Sequence, residues 1–133
     1  MTNEVMNRTI FLTGAVLGLL AVLLGAFGAH GLGKLVDVNA IKTFETGVKY
    51  QMYHALFLLI LANVYKIPEQ KKKWVFYCVL VGGILFSFSI YALATNGLTS
   101  FDFKSIAFLT PIGGTFFILG WILLAYYGFK SLK

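Results

Sequence analysis

Residues 10–29 read IFLTGAVLGLLAVLLGAFGA, twenty positions without a charge. A run of about 20 apolar residues crosses ~30 Å of hydrocarbon as a helix. Residues 74–95 and 105–129 are equally free of Asp, Glu, Lys and Arg. Residues 50–65 form a shorter fourth stretch that holds one histidine. The whole chain is 133 residues long, 59% apolar and only 12% charged, with a mean hydropathy of +0.82. Soluble domains carry roughly 25% charge. The solvent of this chain is therefore mostly lipid. The pattern predicts an all-α integral membrane bundle of four transmembrane helices with short loops, a single domain over residues 1–133. The spans fall at about 8–29, 46–65, 74–95 and 105–128, with an amphipathic lead-in at about 39–49.

Arg8, the first apolar run and the small pair Ala26 and Gly28 mimic a cleaved leader. At twenty residues the run exceeds the roughly 7–15-residue core of such leaders, so it is expected to stay as a helix. Four spans put the N-terminus, the middle loop and the C-terminus on one side, with Arg8, Lys66, Lys71, Lys72, Lys73, Lys130 and Lys133. The other side holds Lys34, Lys42, Lys49 and Lys104. Positive charge favours the cytoplasmic side of short loops, so both termini are expected there. The net charge of +6 then needs no nucleic-acid partner. Lys71, Lys72 and Lys73, beside Trp74, read as a topology determinant and as contacts to anionic lipid headgroups. The single cysteine, Cys78, reads as an apolar filler, and no spacing suggests a metal site or a cofactor.

In the first helix Gly14, Gly18, Ala21, Gly25 and Gly28 recur at steps of four and three, which keeps them on one face. In lipid such a stripe lets another backbone approach, because van der Waals packing replaces the missing hydrophobic drive. The stripe serves either packing inside the chain or a homo-oligomer interface. Asp37 or Asn39 is placed to cap the second helix. Asn96 and Gly97 carry a C-cap signal for the third. Pro111 kinks the fourth helix or marks its first turn. Gly83, Gly113, Gly114 and Gly120 are further close-packing positions.

The chemistry-bearing residues are few. His30 closes the first helix, and Tyr50, Gln51 and His54 share a face of the second. An outward first helix and an inward second one put both histidines near the same membrane face. Intramembrane polar groups are costly and face a protein interior or a wet cavity. His54 either stays neutral and bonds across helices, or joins His30, Tyr50 and Gln51 in a pocket for a proton, an ion, or a lipid or quinone headgroup. Two histidines are too few for a metal site without help from another subunit. The glycine-dense turn at residues 25–33 lacks the spacing and context of a nucleotide-binding loop. No triad, paired acids or phosphate-binding loop is visible, and the apolar spans hold no carboxylate that a proton-coupled exporter would need.

The segments GAFGAHGL (residues 25–32), FETGVKYQMYHAL (44–56), GGILFSFSIY (82–91) and LTPIGGTFFILGW (109–121) resemble the small bacterial membrane family called domain of unknown function 423, related to the transmembrane protein 256-like proteins. The likeness covers nearly the whole chain. Phe88 departs from it, standing where the family pattern has Gly. The resemblance implies four spans in a bacterial inner membrane and brings no established activity. The resulting expectation is a non-enzymatic packing, assembly or self-associating protein. An oligomeric transporter or channel using Gln51 and His54, and a lipid- or quinone-binding accessory protein, are the alternatives.

Overall fold

A computed structural model describes residues 3–100 and 102–132. Lys133, counted among the cytoplasmic charges, lies outside the described residues. Four long helices follow one another: α1 (Asn3–His30), α2 (Val38–Ala62), α3 (Glu69–Ala94) and α4 (Leu109–Ser131). Short 3-10 turns at Leu32–Lys34, Asn96–Leu98 and Phe103–Ile106 fill the connections. Among the described residues there is no strand. Each helix packs antiparallel against the next, α1 on α2, α2 on α3 and α3 on α4, while α1 touches α3 only lightly.

Three segments, Val5–Lys34, Glu69–Ala94 and Phe103–Ser131, are long and apolar enough to cross a membrane. α2 is not among them, because its first two thirds carry Lys42, Glu45, Lys49, Gln51 and His54. α2 is instead the helix between neighbours. Phe44, Gly47, His54, Ala55, Phe57, Leu58, Leu61 and Ala62 are all buried against them.

The ends of the elements depart from expectation in two places, each for a local reason. α4 starts at Leu109 rather than near residue 105, because Asp102 caps a separate 3-10 turn, its Oδ1 accepting from the Lys104 amide at 3.0 Å. Pro111 is then the third residue of α4, where an amide hydrogen has no partner within the helix, so it marks the first turn. The C-cap reading of Asn96 and Gly97 is also corrected. No described glycine has a positive φ, and α3 ends instead through Thr95, whose hydroxyl donates to the Tyr91 carbonyl at 2.8 Å. Asn96 turns outward to accept from the Phe103 amide at 2.7 Å. At the start of α2, Asp37 rather than Asn39 is the cap, accepting from the Ala40 amide at 2.8 Å.

The small stripe of α1 faces α2. A Cβ built on Gly14 would lie 2.9 Å from the Ala55 carbonyl oxygen, and one on Gly28 would lie 2.9 Å from the Phe44 ring. Gly18 faces Ala55, Gly25 faces Val48, and Ala21 is 1% exposed. This face is covered within the chain and is not open to a second subunit.

Across α3 and α4 the tight positions are Gly82, Gly113 and Gly120. A Cβ on Gly82 would meet Phe117 at 2.7 Å, and one on Gly120 would meet Val79 at 2.8 Å. Gly83 is not in that interface: its Cβ would sit 4.0 Å from the Phe117 ring, at the edge of a cleft. Gly114 has ordinary contact with Phe86 at 3.8 Å. Gly47 on α2, not singled out from sequence, is also tight, with Tyr91 at 2.7 Å and Ile90 at 2.9 Å from its added Cβ. Phe88 points outward, 72% exposed, so it leaves helix packing undisturbed.

Candidate functional site

The tight Gly47–Tyr91 contact brings α2 and α3 close enough for three polar side chains to meet well inside the spans. Gln51 Nε2 donates to the Leu17 carbonyl of α1 at 2.8 Å. The Tyr91 hydroxyl donates to Gln51 Oε1 at 2.6 Å. The Ser87 hydroxyl donates to the Gly47 carbonyl at 3.2 Å. Gln51 thus joins α1, α2 and α3. In a bundle without a hydrophobic drive, such bonds and close packing hold helices together.

His54, one turn further along α2, addresses α4 instead. It is 5% exposed, and its ring stacks on Phe117 with centroids 3.6 Å apart and planes 9° from parallel. Trp121 Nε1 donates to His54 Nε2 at 3.2 Å, and His54 Nδ1 lies 2.7 Å from the Tyr50 carbonyl oxygen. An indole N–H can only donate and a carbonyl can only accept. These bonds assign the proton to Nδ1 and leave the ring neutral. Tyr50 contributes that backbone oxygen, while its own ring packs on Phe86 at 5.0 Å and is partly exposed.

The single polar patch expected from sequence is therefore two arrangements back to back. His30 belongs to neither. It is exposed at the end of α1, whereas His54 lies near the level of Gly18, whose added Cβ faces Ala55. The twelve residues from Gly18 to His30 amount to about 18 Å along the helix.

A cleft of about 320 Å³ opens beside Gln51. Leu17, Leu20 and Leu24 of α1 form one wall and Leu80, Ile84 and Phe88 of α3 the other. Gln51, His54, Ser87, Tyr91 and Phe117 form its floor. Its mouth is set by Leu20, Ile84 and Phe88, all exposed on the outer face of the bundle. That mouth exists because α1 and α3 scarcely touch. A second hollow of about 310 Å³, lined by Tyr50, His54, Phe86, Phe117 and Trp121 among others, lies on the far side. His54 and Phe117 line both and form the partition between them.

Lys72 departs furthest from its expected place. It is 1% exposed rather than projecting from the bundle. Its ammonium instead donates to Asn7 Oδ1 of α1 at 2.9 Å and lies 5.7 Å from the Tyr65 ring. Lys71 and Lys73 keep outer positions, near the Tyr127 and Trp74 rings at 5.7 and 5.0 Å. Among the described residues no group of three or more His, Cys, Asp or Glu is placed to hold a metal ion.

Tyr91, Phe117 and Trp121 were not picked out from sequence. Trp121 carried a usable signal. Tryptophan in a membrane protein concentrates at the interfaces, and this one stands in the middle of α4, where its N–H needs a partner.

Apolar helices packed through glycines, with polar side chains bonded to one another deep within the bundle, define a small multi-pass helical membrane protein. The chain belongs to the family described as protein of unknown function (DUF423), whose family model matches residues 24–114. It is 40% identical over 117 residues to a UPF0382 membrane protein of Haemophilus influenzae, covering 88% of this chain and 90% of that one. It is 36% identical over 123 residues to UPF0382 membrane protein SAB0533 of Staphylococcus aureus, covering 92% and 97%. It is 35% identical over 121 residues to the UPF0382 inner membrane protein YgdD of Escherichia coli K12, covering 89% and 87%. No solved structure matches the chain. The chain is a multi-pass protein of the inner membrane.

Proposed function

We propose that this protein crosses the inner membrane four times with both termini in the cytoplasm, and that it is a non-enzymatic protein binding a lipophilic molecule that enters its cleft sideways from the bilayer. The observation that carries the reading is the cleft itself: apolar walls, a mouth on the lipid-facing surface, and a polar floor at Gln51 and Tyr91. Binding sites for small molecules have this composition, mostly apolar with a few placed polar groups. α2 can serve as the fourth span because Gln51 and His54 are turned towards α1, α3 and α4 rather than lipid, while its exposed Lys42, Glu45 and Lys49 lie in its first half. The surplus of basic residues at the end holding Lys66, Lys71 and Lys130 supports the orientation. The non-enzymatic reading is supported by the cleft lining, which holds no carboxylate, lysine or cysteine. Self-association loses its motive, since the small stripe of α1 is covered by α2. Anionic headgroup contact rests on Lys71 and Lys73 alone.

For the topology, reporter fusions in the 31–37 and 63–68 connections, which flank α2, should report opposite sides, with the 63–68 connection and the C-terminus cytoplasmic. Identical sides across α2 would remove the fourth span.

For the ligand, native mass spectrometry of protein released gently from its own membrane should show a reproducible extra mass. Gly83→Leu should lose it, because a side chain there fills the cleft without meeting backbone. A mass retained in a folded Gly83→Leu protein, or none in either, would overturn the reading.

A further inference from the structure

The hydrogen-bond inventory of the cleft floor leaves one donor and one acceptor over, side by side. Gln51 has two amide protons, and one is held by the Leu17 carbonyl. The other has no acceptor among the described residues. The amide cannot be reversed, because the Leu17 carbonyl only accepts and needs the nitrogen facing it. Tyr91 has given its proton to Gln51 Oε1, so its phenol oxygen is left as an acceptor. The Ser87 hydroxyl has a single proton, and it is directed to the Gly47 carbonyl at 3.2 Å.

We infer that the cleft selects an uncharged long-chain alcohol, whose hydroxyl donates to the Tyr91 oxygen and accepts the free Gln51 proton. This rests on the cleft being a binding site, and names the head group it takes. A hydroxyl is the smallest group that does both jobs at one atom. A carbonyl head, as in a quinone, uses only the amide proton. A carboxylate or phosphate finds no cation in the lining and meets a heavy desolvation cost at this depth. The apolar tail then lies along Leu20 and Ile84 towards the mouth.

The test is binding of tritiated farnesol to the purified protein in nanodiscs, with displacement by unlabelled farnesol, farnesyl methyl ether and a short-chain quinone. Farnesol should displace at a concentration at least about tenfold lower than either, the effect of losing one buried hydrogen bond. Gly83→Leu should abolish binding, with Ile84→Trp at the mouth as a second block should the first variant fold poorly. Equal displacement by the ether or the quinone would overturn the alcohol head group and leave the cleft standing. Absence of farnesol binding, or binding unchanged in both blocked variants, would overturn the cleft as well.

Discussion

Gly113→Ala should destabilise the protein by about 3 kcal/mol or more, while Gly114→Ala, one residue away, should be neutral or slightly stabilising. The two glycines differ only in what lies beside them. A Cβ on Gly113 would come within 2.8 Å of the Gly82 carbonyl oxygen and closer still to the Phe86 amide nitrogen. Both are backbone atoms inside α3, so no rotamer change relieves the overlap and the helices must part. Parting them also disturbs Phe117, which sits against Gly82 and carries the His54 stack. On Gly114 the same Cβ meets only the Phe86 ring at 3.8 Å, an ordinary contact. There the change removes backbone entropy from the unfolded chain, a gain of up to about 1 kcal/mol in a helix. Reversible unfolding in bicelles, read by steric trapping or denaturant titration, measures both. Equal effects at the two positions would show that α3 and α4 do not approach through Gly113.

The membrane character and the helix count were legible because lipid imposes a simple rule: uncharged runs of fixed length. The faces of α1 were legible for a related reason, since a stripe of small residues only makes sense against another helix. The pairing of that stripe was not legible. Gly14 and Gly28 would look the same beneath α2 or beneath a second subunit, and only the position of Ala55 and Phe44 decides it. The neighbours Gly82 and Gly83 were equally indistinguishable, since a rotation of 100° separates interface from cleft edge and no flanking pattern fixes the phase in a helix apolar all round. Lys72 illustrates a different limit. In a run of three lysines nothing marks the one that turns inward to Asn7, a contact 65 residues away in sequence. The site was half legible. Gln51 and His54 stood out as polar residues in lipid, but they face different helices, and their partners Tyr91 and Trp121 lie 40 and 67 residues further on. His30 was drawn in by chemistry alone. Residue type suggested a pair, and the rise along α1 separates them.

His54→Ala should cost about 2–4 kcal/mol, and His54→Phe about 1 kcal/mol. The difference separates two contributions of one ring. Alanine removes the ring from between Phe57, Phe117 and Trp121, leaving a void that packed helices only partly close. Phenylalanine keeps the stack on Phe117 and loses the acceptor, so the Trp121 N–H is left without its partner. Hydrogen bonds between membrane helices average about 0.6 kcal/mol in double-mutant cycles and reach about 1.7. A cycle of His54→Phe with Trp121→Phe should recover a coupling in that range. The same cycle decides between a brace and a relay. Both ring nitrogens are engaged, Nδ1 with the Tyr50 carbonyl and Nε2 with Trp121, so neither is open to take up a proton. Proton or solute flux in liposomes should therefore be unchanged by Trp121→Phe, while stability falls. Flux that rises or disappears when Trp121 releases Nε2 would make the His54 nitrogen a working group and α4 its gate. A flat flux with the expected coupling would fix His54 as the clasp that holds α4 against α2, with the cleft on its other side left to Gln51 and Tyr91.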